Sequence, residues 1–502
     1  MAQFVILTPD SLKELRVGNE RLVSYNVEMT EVTGGTFWKA YTPGQIAGTE
    51  PFVVKNPFLG NATASNDLMQ YYDPINLYDE KLRKLAKEIG PAWVRVSGSW
   101  STKTYYDFDG HTGGVAPEGF QNVLTRKQWE GVLDFVKAVD GRLLISVGNC
   151  VGNHKPDGSW DPAQARLLLD FSRDYGVPVS AAEFMNEPNL LGMSGAPEGY
   201  TLADYCRDQD AFFRMLKEDY PEVLLVGPSA TCDPVGGMDE TTRKWLESLG
   251  IAMTPDIMAG CTIQPDVMSY HYYNGTSERG AAMGGHAQPD QTLSESYLKS
   301  CANTGNVYLP IRDKFCPGAP VWVTESGEAA CGGSTWASTY MDVFRTINEL
   351  GWFSEATPGI IFHNTLASSD YGWLDRETHL PRPDYWAVLL WNRLMGEEVY
   401  ATGEPVREGV HLYAHSRKDG KPGVCYVLVN TSKEEATEVT LPCTAECYTL
   451  SADGLRSSDI RLNGEVLRLT ADEQVPALPA QSVPAGVFRA QPATVSFFVL
   501  DA

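Results

Sequence analysis

Basic residues are scarce in this 502-residue chain. Forty Lys and Arg stand against 64 Asp and Glu, giving a net charge of −24 and a pI near 4.7. No Lys/Arg cluster interrupts that acidic field, which argues against nucleic acid and polyanions as partners. Apolar runs of the roughly 18 residues needed to span a membrane are missing, so no membrane partner is expected. No Gly-rich phosphate fingerprint follows the first strand, which counts against a dinucleotide fold. The eight histidines show no ligand spacing, so neither a metal nor a cofactor is expected. The ten cysteines contain no C-x-x-C pair. They read as buried free thiols in a reducing compartment rather than as a disulfide framework. The first nine residues lack a basic n-region and a long apolar core, unlike a signal peptide. The expectation is a cytoplasmic protein, or an exported one whose leader has been removed. Asn61, Asn274 and Asn430 open N-x-S/T triplets, a pattern too common to decide anything.

What is present is a packable chain. Hydrophobic residues make up 43%, too many for disorder, and the length predicts two or three domains. Strand-like runs alternate with amphipathic helical ones. The strands end near residues 28, 97, 148, 185, 228, 270, 324 and 363. Helical periodicity fills residues 79–89, 127–139, 162–175, 202–218, 241–249, 335–350 and 385–394, with a further start at 294–300. Eight such units predict an α/β fold, a (β/α)8 TIM barrel, rather than an open doubly wound sheet. A long polar and aromatic loop is expected over 36–73. Past residue 396 the helical period vanishes. Short β-rich runs appear at 410–415, 424–430, 436–441, 447–450, 466–469 and 495–500, which predicts a C-terminal β-sandwich. The orphan strand at 4–7 is expected to join it. The predicted domains are residues 1–17 (a strand belonging to the sandwich), 18–395 (the barrel) and 396–502 (the sandwich).

Two carboxylates end barrel strands. Glu187 lies in Asn186-Glu187-Pro188, where the proline stops the strand, and Glu325 lies in Trp322-Val323-Thr324-Glu325. The C-terminal ends of barrel strands carry the chemistry of this architecture. A carboxyl pair is what glycosidic bond cleavage requires: one delivers a proton to the bridging oxygen and the other supports the oxocarbenium from the opposite face. The Asn186 amide either holds the hydroxyl beside the reacting carbon or caps a turn. Glu28 ends the first strand, where it binds sugar hydroxyls, tunes Glu187 or forms a structural ion pair. His271, Tyr272 and Tyr273 end the sixth strand, to orient a nucleophile or simply to pack. Trp100, Tyr371 and Trp373 are candidate sugar-stacking walls. Gly332 and Gly333 allow a close row of N–H groups that can grip a carboxylate, or they form an ordinary helix-entry loop. Glu183 and Glu328 are carboxylates without a clear role. Loops at 192–199 and 275–290 are expected to meet the leaving group.

With these residues in place, the chain resembles glycoside hydrolase family 79, the heparanase and β-glucuronidase family. The resemblance runs through Pro91-Ala92-Trp93-Val94-Arg95 with Gly98, Lys103-Thr104, Gly148-Asn149, Leu167-Leu168-Leu169-Asp170 and Asn186-Glu187-Pro188-Asn189. It continues through His271-Tyr272-Tyr273, Val321-Trp322 with Glu325, Gly332-Gly333, Pro383-Asp384-Tyr385-Trp386 and Ser496-Phe497-Phe498-Val499-Leu500. It implies Glu187 as acid/base and Glu325 as nucleophile. It implies a glucuronic acid whose carboxylate is held by Gly332, Gly333 and Tyr371, in a subsite lined by Asn186, Glu28, His271 and Tyr273. Asn364 stands where heparanase has a glutamine. The basic segment that meets sulfated chains in heparanase is mixed to acidic here, over residues 209–222. The resulting expectation is a retaining exo-β-glucuronidase acting on small glucuronides or glycan non-reducing ends. The alternatives are a relative acting on a neutral sugar, an endo-acting heparanase-like enzyme and a silent glycan-binding protein. The sequence carries no expectation about oligomeric state.

Overall fold

The computed structural model describes residues 3–54, 68–236, 240–248, 250–402 and 408–501. Its organising element is a closed barrel of eight parallel strands. These are β1 (Val23–Glu28), β2 (Trp93–Ser97), β3 (Arg142–Ser146), β4 (Ala181–Glu183), β5 (Leu224–Ala230), β6 (Val267–Tyr273), β7 (Val321–Gly327) and β8 (Ile360–His363). Each pairs with its sequence neighbours, and β8 closes on β1 with Ile361 opposite Val23. The fold class expected from the strand–helix alternation is the one observed.

Strand alternation layers the interior. Trp93, Leu144, Ala181, Val226, Val267, Trp322, Ile360 and Phe362 plug the lower barrel as one apolar cluster. Burial of each larger side chain contributes roughly 2–3 kcal/mol. Two residues further along each strand, the same inward parity brings Arg95, Ser146, Glu183, Ser269 and Thr324, all at most 1% exposed. A polar, charged layer therefore sits directly on an apolar plug. The outward parity, such as Val94, Ile145, Ala182, Leu225 and Met268, packs under the helices in the main core.

Two sheets follow the barrel. Gln3–Ile6 pairs parallel with Thr437–Leu441, which pairs antiparallel with Gly486–Ala490. The larger, nine-stranded sheet runs through Lys13–Val17, Met395–Ala401, Val410–Arg417, Gly423–Asn430, Thr494–Asp501 and Ala445–Ser451. The N-terminal strand thus belongs to the C-terminal domain, as its lack of a barrel partner implied. The strand Gly423–Asn430 is buried on both faces. Val424, Tyr426 and Leu428 face the smaller sheet, while Cys425, Val427 and Val429 join the core shared with the barrel. At that seam the Tyr413 hydroxyl donates to Asn348 Oδ1 at 2.8 Å.

Several expectations need correction. The supposed loop at 36–73 contains a hairpin of Gly35–Trp38 with Met69–Tyr72. The helix expected at 335–350 runs Tyr340–Ala356, because Thr339 caps its start and the preceding turn is held elsewhere. The helix Ser300–Phe315 was legible only at its start; Pro310 inside it and a weak apolar stripe hid the rest. The strand at 466–469 shrinks to Glu465–Val466. All ten cysteines are free thiols, but Cys232 is exposed and Cys331 and Cys443 are half-buried, so the expected burial fails at these three. The Asn61 triplet lies outside the described residues.

Candidate active site

The C-terminal ends of β4, β6 and β7 bring the first-rank residues together. After Glu183 the chain leaves β4 through Met185 and Glu187, both with left-handed backbones (φ 49° and 47°). Such a conformation costs roughly 1–3 kcal/mol in a non-glycine residue and persists only where surroundings impose it. Here Leu190 N–H and Ser194 Oγ both donate to the Glu187 carbonyl, at 3.0 and 2.8 Å. On β6 and β7 the register slips between Tyr270 and His271, so that His271 stands opposite Glu325. Bulges of this kind re-aim side chains at strand ends.

The result is a tight constellation. Donor atoms of Glu187, His271 and Glu325 all lie within 4.8 Å of one another. His271 Nδ1 is 3.0 Å from Glu187 Oε1 and 3.5 Å from Glu325 Oε2. Arg95 Nη2 lies 3.3 Å from His271 Nε2. Nδ1 is the ring nitrogen that faces both carboxylates. Glu325 is held at both oxygens: Arg95 Nη1 donates to Oε1 at 3.1 Å and the Tyr273 hydroxyl to Oε2 at 2.8 Å. Burial opposes its ionisation, but His271, Arg95 and the Tyr273 donor outweigh burial and hold its pKa below the usual glutamate value. Burial, with the Glu325 charge adding to it, pushes the Tyr273 phenol well up. It therefore stays a donor.

A second tier surrounds the pair. Asn186 Oδ1 accepts from Arg95 Nη2 at 2.8 Å, which leaves the amide's NH2 as the group to offer a ligand. Asn364 Nδ2 donates to the hydroxyls of Tyr273 and Tyr371, at 3.0 and 3.1 Å, and its Oδ1 accepts from Asn26. Glu28 packs so closely on Gly98 that a Cβ there would stand 1.6 Å from its Oε2. Burial first, then the charges of Glu325 and Glu31, push the Glu28 carboxyl well above its ordinary pKa. His363 donates through Nε2 to the Tyr371 carbonyl at 2.6 Å; burial holds its pKa down to about 3, and it is neutral.

The glycine pair sits beside Tyr371. A Cβ on Gly333 would lie 3.0 Å from Tyr371 N, and one on Gly332 would lie 2.6 Å from both Ser369 Oγ and Trp38. Both have φ near +84°, so no other residue fits the turn without strain. The expected row of free N–H groups needs correction. Gly333 N–H donates to the Ala329 carbonyl at 3.2 Å, and Ser334 N–H to Glu328 Oε2 at 2.9 Å. Glu328 caps this turn. Its carbonyls are clamped by a residue that sequence reasoning passed over, the buried Arg279. Arg279 Nη1 donates to Gly333 O and Cys331 O, and its Nη2 to Asp370 and to Lys39 O. The Tyr41 ring lies 3.8 Å from its guanidinium.

One aromatic expectation changes. Trp373 is 2% exposed, stacked on His363 at 4.5 Å behind the site. It is a packing residue, not a wall. Trp100 is half-buried, with Lys103 Nζ 4.8 Å from its ring centroid.

Arg95, met in the sequence only as part of a motif, and Glu183, left there without a role, stand beneath the pair. Both are fully buried and paired at 2.6 Å. Glu187, His271 and Glu325 are close enough to hold a cation, but Arg95 already fixes a positive charge against Glu325. Asp107, Asp109 and His111 form a second, mostly exposed grouping of possible ligands.

The model of the glycosyl hydrolase family 79 N-terminal domain matches residues 74–351, more than half of the chain. The chain belongs to glycosyl hydrolase family 79. Heparanase-like protein 1 of Arabidopsis thaliana is 26% identical over 377 residues, 72% of this family 79 chain and 65% of that relative's length. Baicalin-β-D-glucuronidase of Scutellaria baicalensis is 25% identical over 446 residues, 80% of this chain and 79% of the relative. Among solved structures, a 4-O-α-L-rhamnosyl-β-D-glucuronidase from Fusarium oxysporum 12S aligns over 99% of this chain and 100% of its own, with a TM-score of 0.64 at 12% identity. That likeness concerns the fold alone.

Proposed function

We propose that this chain is a retaining exo-β-glucuronidase, hydrolysing terminal β-D-glucuronides through a covalent glycosyl-enzyme intermediate. The observation that carries the reading is the approach of Glu187 and Glu325 to within 4.8 Å through their carboxylate oxygens. That spacing suits direct attack by one carboxylate, whereas an inverting pair stands about 6.5–9.5 Å apart to admit water. Glu325 is the ionised member, stabilised by Arg95 and Tyr273, and attacks the anomeric carbon. Glu187 protonates the departing oxygen, then takes the proton of the water that releases the sugar. The Asn186 NH2 holds the hydroxyl next to the reacting carbon.

The acid on the sugar is the second half of the reading. Gly332, Gly333 and Tyr371 border the place for it in this reading. Arg279 is spent behind the glycine turn, on the carbonyls of Cys331 and Gly333. The name of the plant glucuronidase among the relatives points to glucuronic acid. The charge of −24 disfavours a polysulfated polymer.

The test is turnover of p-nitrophenyl β-glucuronide against the β-xyloside and β-glucoside. Glu187→Gln and Glu325→Gln serve as controls, and NMR follows the first-formed anomer. The expected result is glucuronide cleavage with retention, lowered at least about 10³-fold in Glu325→Gln. Turnover of a neutral glycoside alone would overturn the substrate class. An inverted product would overturn the mechanism, and glycan binding with no turnover at all would favour a silent scaffold.

A further inference from the structure

Beneath the two carboxylates lies a third that takes no part in the proposed reaction. Glu183 points inward from β4, on the same side as Ala181 of the apolar plug. It is 0% exposed. Its Oε1 accepts from Arg95 Nε at 3.0 Å and Nη2 at 2.6 Å, from Ser97 Oγ at 3.2 Å, and from Ser146 Oγ. Its Oε2 accepts from Ser229 Oγ at 2.5 Å. Ser229 in turn accepts from Thr324 Oγ1 at 3.0 Å and meets Ser269 Oγ at 2.8 Å. Hydroxyls from β2, β3 and β5 thus converge on one side chain of β4, and those of β6 and β7 join them through Ser229.

Fold stability does not call for this. Taking a charge pair out of water costs several kcal/mol per ion, and well-packed apolar residues of similar volume serve stability as well or better. The layer immediately below is wholly apolar, so the barrel tolerates such a filling. The charge is where it is because of what Arg95 touches next. Arg95 Nη1 donates to Glu325 and Nη2 to Asn186, and Nη2 also faces His271 Nε2. A guanidinium is a rigid planar fork. Gripping its Nε and Nη2 from below fixes the direction of Nη1.

We propose that Glu183 is a positioning residue acting through Arg95: it aims the guanidinium at Glu325 and Asn186 together, and its negative charge limits how strongly Arg95 draws on Glu325. The inference rests on the reading of Glu325 as nucleophile. One guanidinium between two carboxylates leaves the upper one ionised yet basic enough to attack. With Glu183 neutral, Arg95 would belong to Glu325 alone. Glu325 would then ionise at lower pH and be a weaker nucleophile, two effects from one cause.

The test is Glu183→Gln, which keeps shape and an acceptor and removes the charge. Wild-type turnover, together with an inactive Glu325→Gln, establishes the reading of Glu325 independently of Glu183. Against that background Glu183→Gln is expected to lower kcat about 10- to 100-fold with KM within about threefold. The acid limb of its pH profile should move down by about half a unit or more, because loss of a nearby negative charge favours the ionised carboxylate. A kcat within about twofold of wild type and a superimposable profile would assign Glu183 to packing and overturn the proposal. If that variant does not fold, Ser229→Ala keeps the carboxylate and removes one donor to it. The less dispersed charge then repels Glu325 more, so the acid limb should move up by a few tenths of a unit. An unmoved profile there also overturns the proposal.

Discussion

Glu325 is the residue on which most of the local physics converges, and its ionisation is set by a short list of neighbours. Tyr273 is the simplest to remove. Tyr273→Phe deletes the hydroxyl 2.8 Å from Oε2 and leaves the ring. The donor favours the charged form, so its loss raises the Glu325 pKa. The nucleophile works ionised, and activity is lost as pH falls through that pKa. The acid limb of kcat/KM is therefore expected to move to higher pH, opposite in sign to Glu183→Gln, with kcat down roughly 10-fold or more. A pH–rate series on the two variants checks both signs. Residue identities at strand ends made Glu187, Glu325, Asn186 and His271 legible, because a polar side chain ending an apolar strand has few structural uses. The pairing of Arg95 with Glu183 was illegible for the converse reason. Inside a strand, a charged residue reads as solvent-facing until closure of the barrel places it over the plug.

Among elements, the turn at Cys331–Gly333 shows how one segment is shaped by another. The fully buried Arg279, from the short 3-10 stretch Glu278–Met283, holds its carbonyls. The loop at 275–290, expected to meet a leaving group, thus also supports the glycine turn from behind. Arg279→Met leaves Asp370 buried without its 2.5 Å partner, at a cost of roughly 3–5 kcal/mol. Adding Asp370→Asn should recover much of the lost Tm. KM for the glucuronide should stay raised several-fold in both variants, since the turn is loosened either way. Calorimetry and steady-state kinetics separate the two effects. A second element contact joins the helix Tyr340–Ala356 to the strand Val410–Arg417. A Cβ on Gly351 would stand 2.2 Å from the Tyr413 ring. Gly351→Ala is expected to destabilise by roughly 1–3 kcal/mol, measurable as a shift in denaturant midpoint with activity per folded molecule unchanged.

On the scale of the whole molecule, buried acids make stability depend on pH. Burial raises Glu31 and Glu355 to about 7 and Glu328 to about 8. A carboxyl whose pKa is higher folded than unfolded binds more protons in the native state. Its contribution is full below the unfolded value and is lost as pH rises through the folded one. Tm is therefore expected to fall between about pH 5 and pH 8. Glu355→Gln, at the seam between barrel and sheets, should remove its share of that slope, on the order of 2–3 kcal/mol. A Tm that rises over that range would contradict this sign. The change from barrel to sheet was readable because period-2 and period-3.6 patterns separate near residue 396. The shared core across the seam was not, because a strand buried on both faces has no polar side to reveal it.

Taken alone, the amino-acid order determined the barrel, the strand that joins both ends of the chain in one sheet, and the two glutamates at strand ends. Each is a local signal: an apolar period, a proline after a carboxylate, a run without a neighbour. Tertiary structure alone decided which charges share a proton or a partner. Arg95 lies 88 residues from Glu183 and 230 from Glu325, and only closure of the barrel brings the three within hydrogen-bond range. Electrostatic coupling depends on distance and on exclusion of water, and neither is written in any single stretch of the chain.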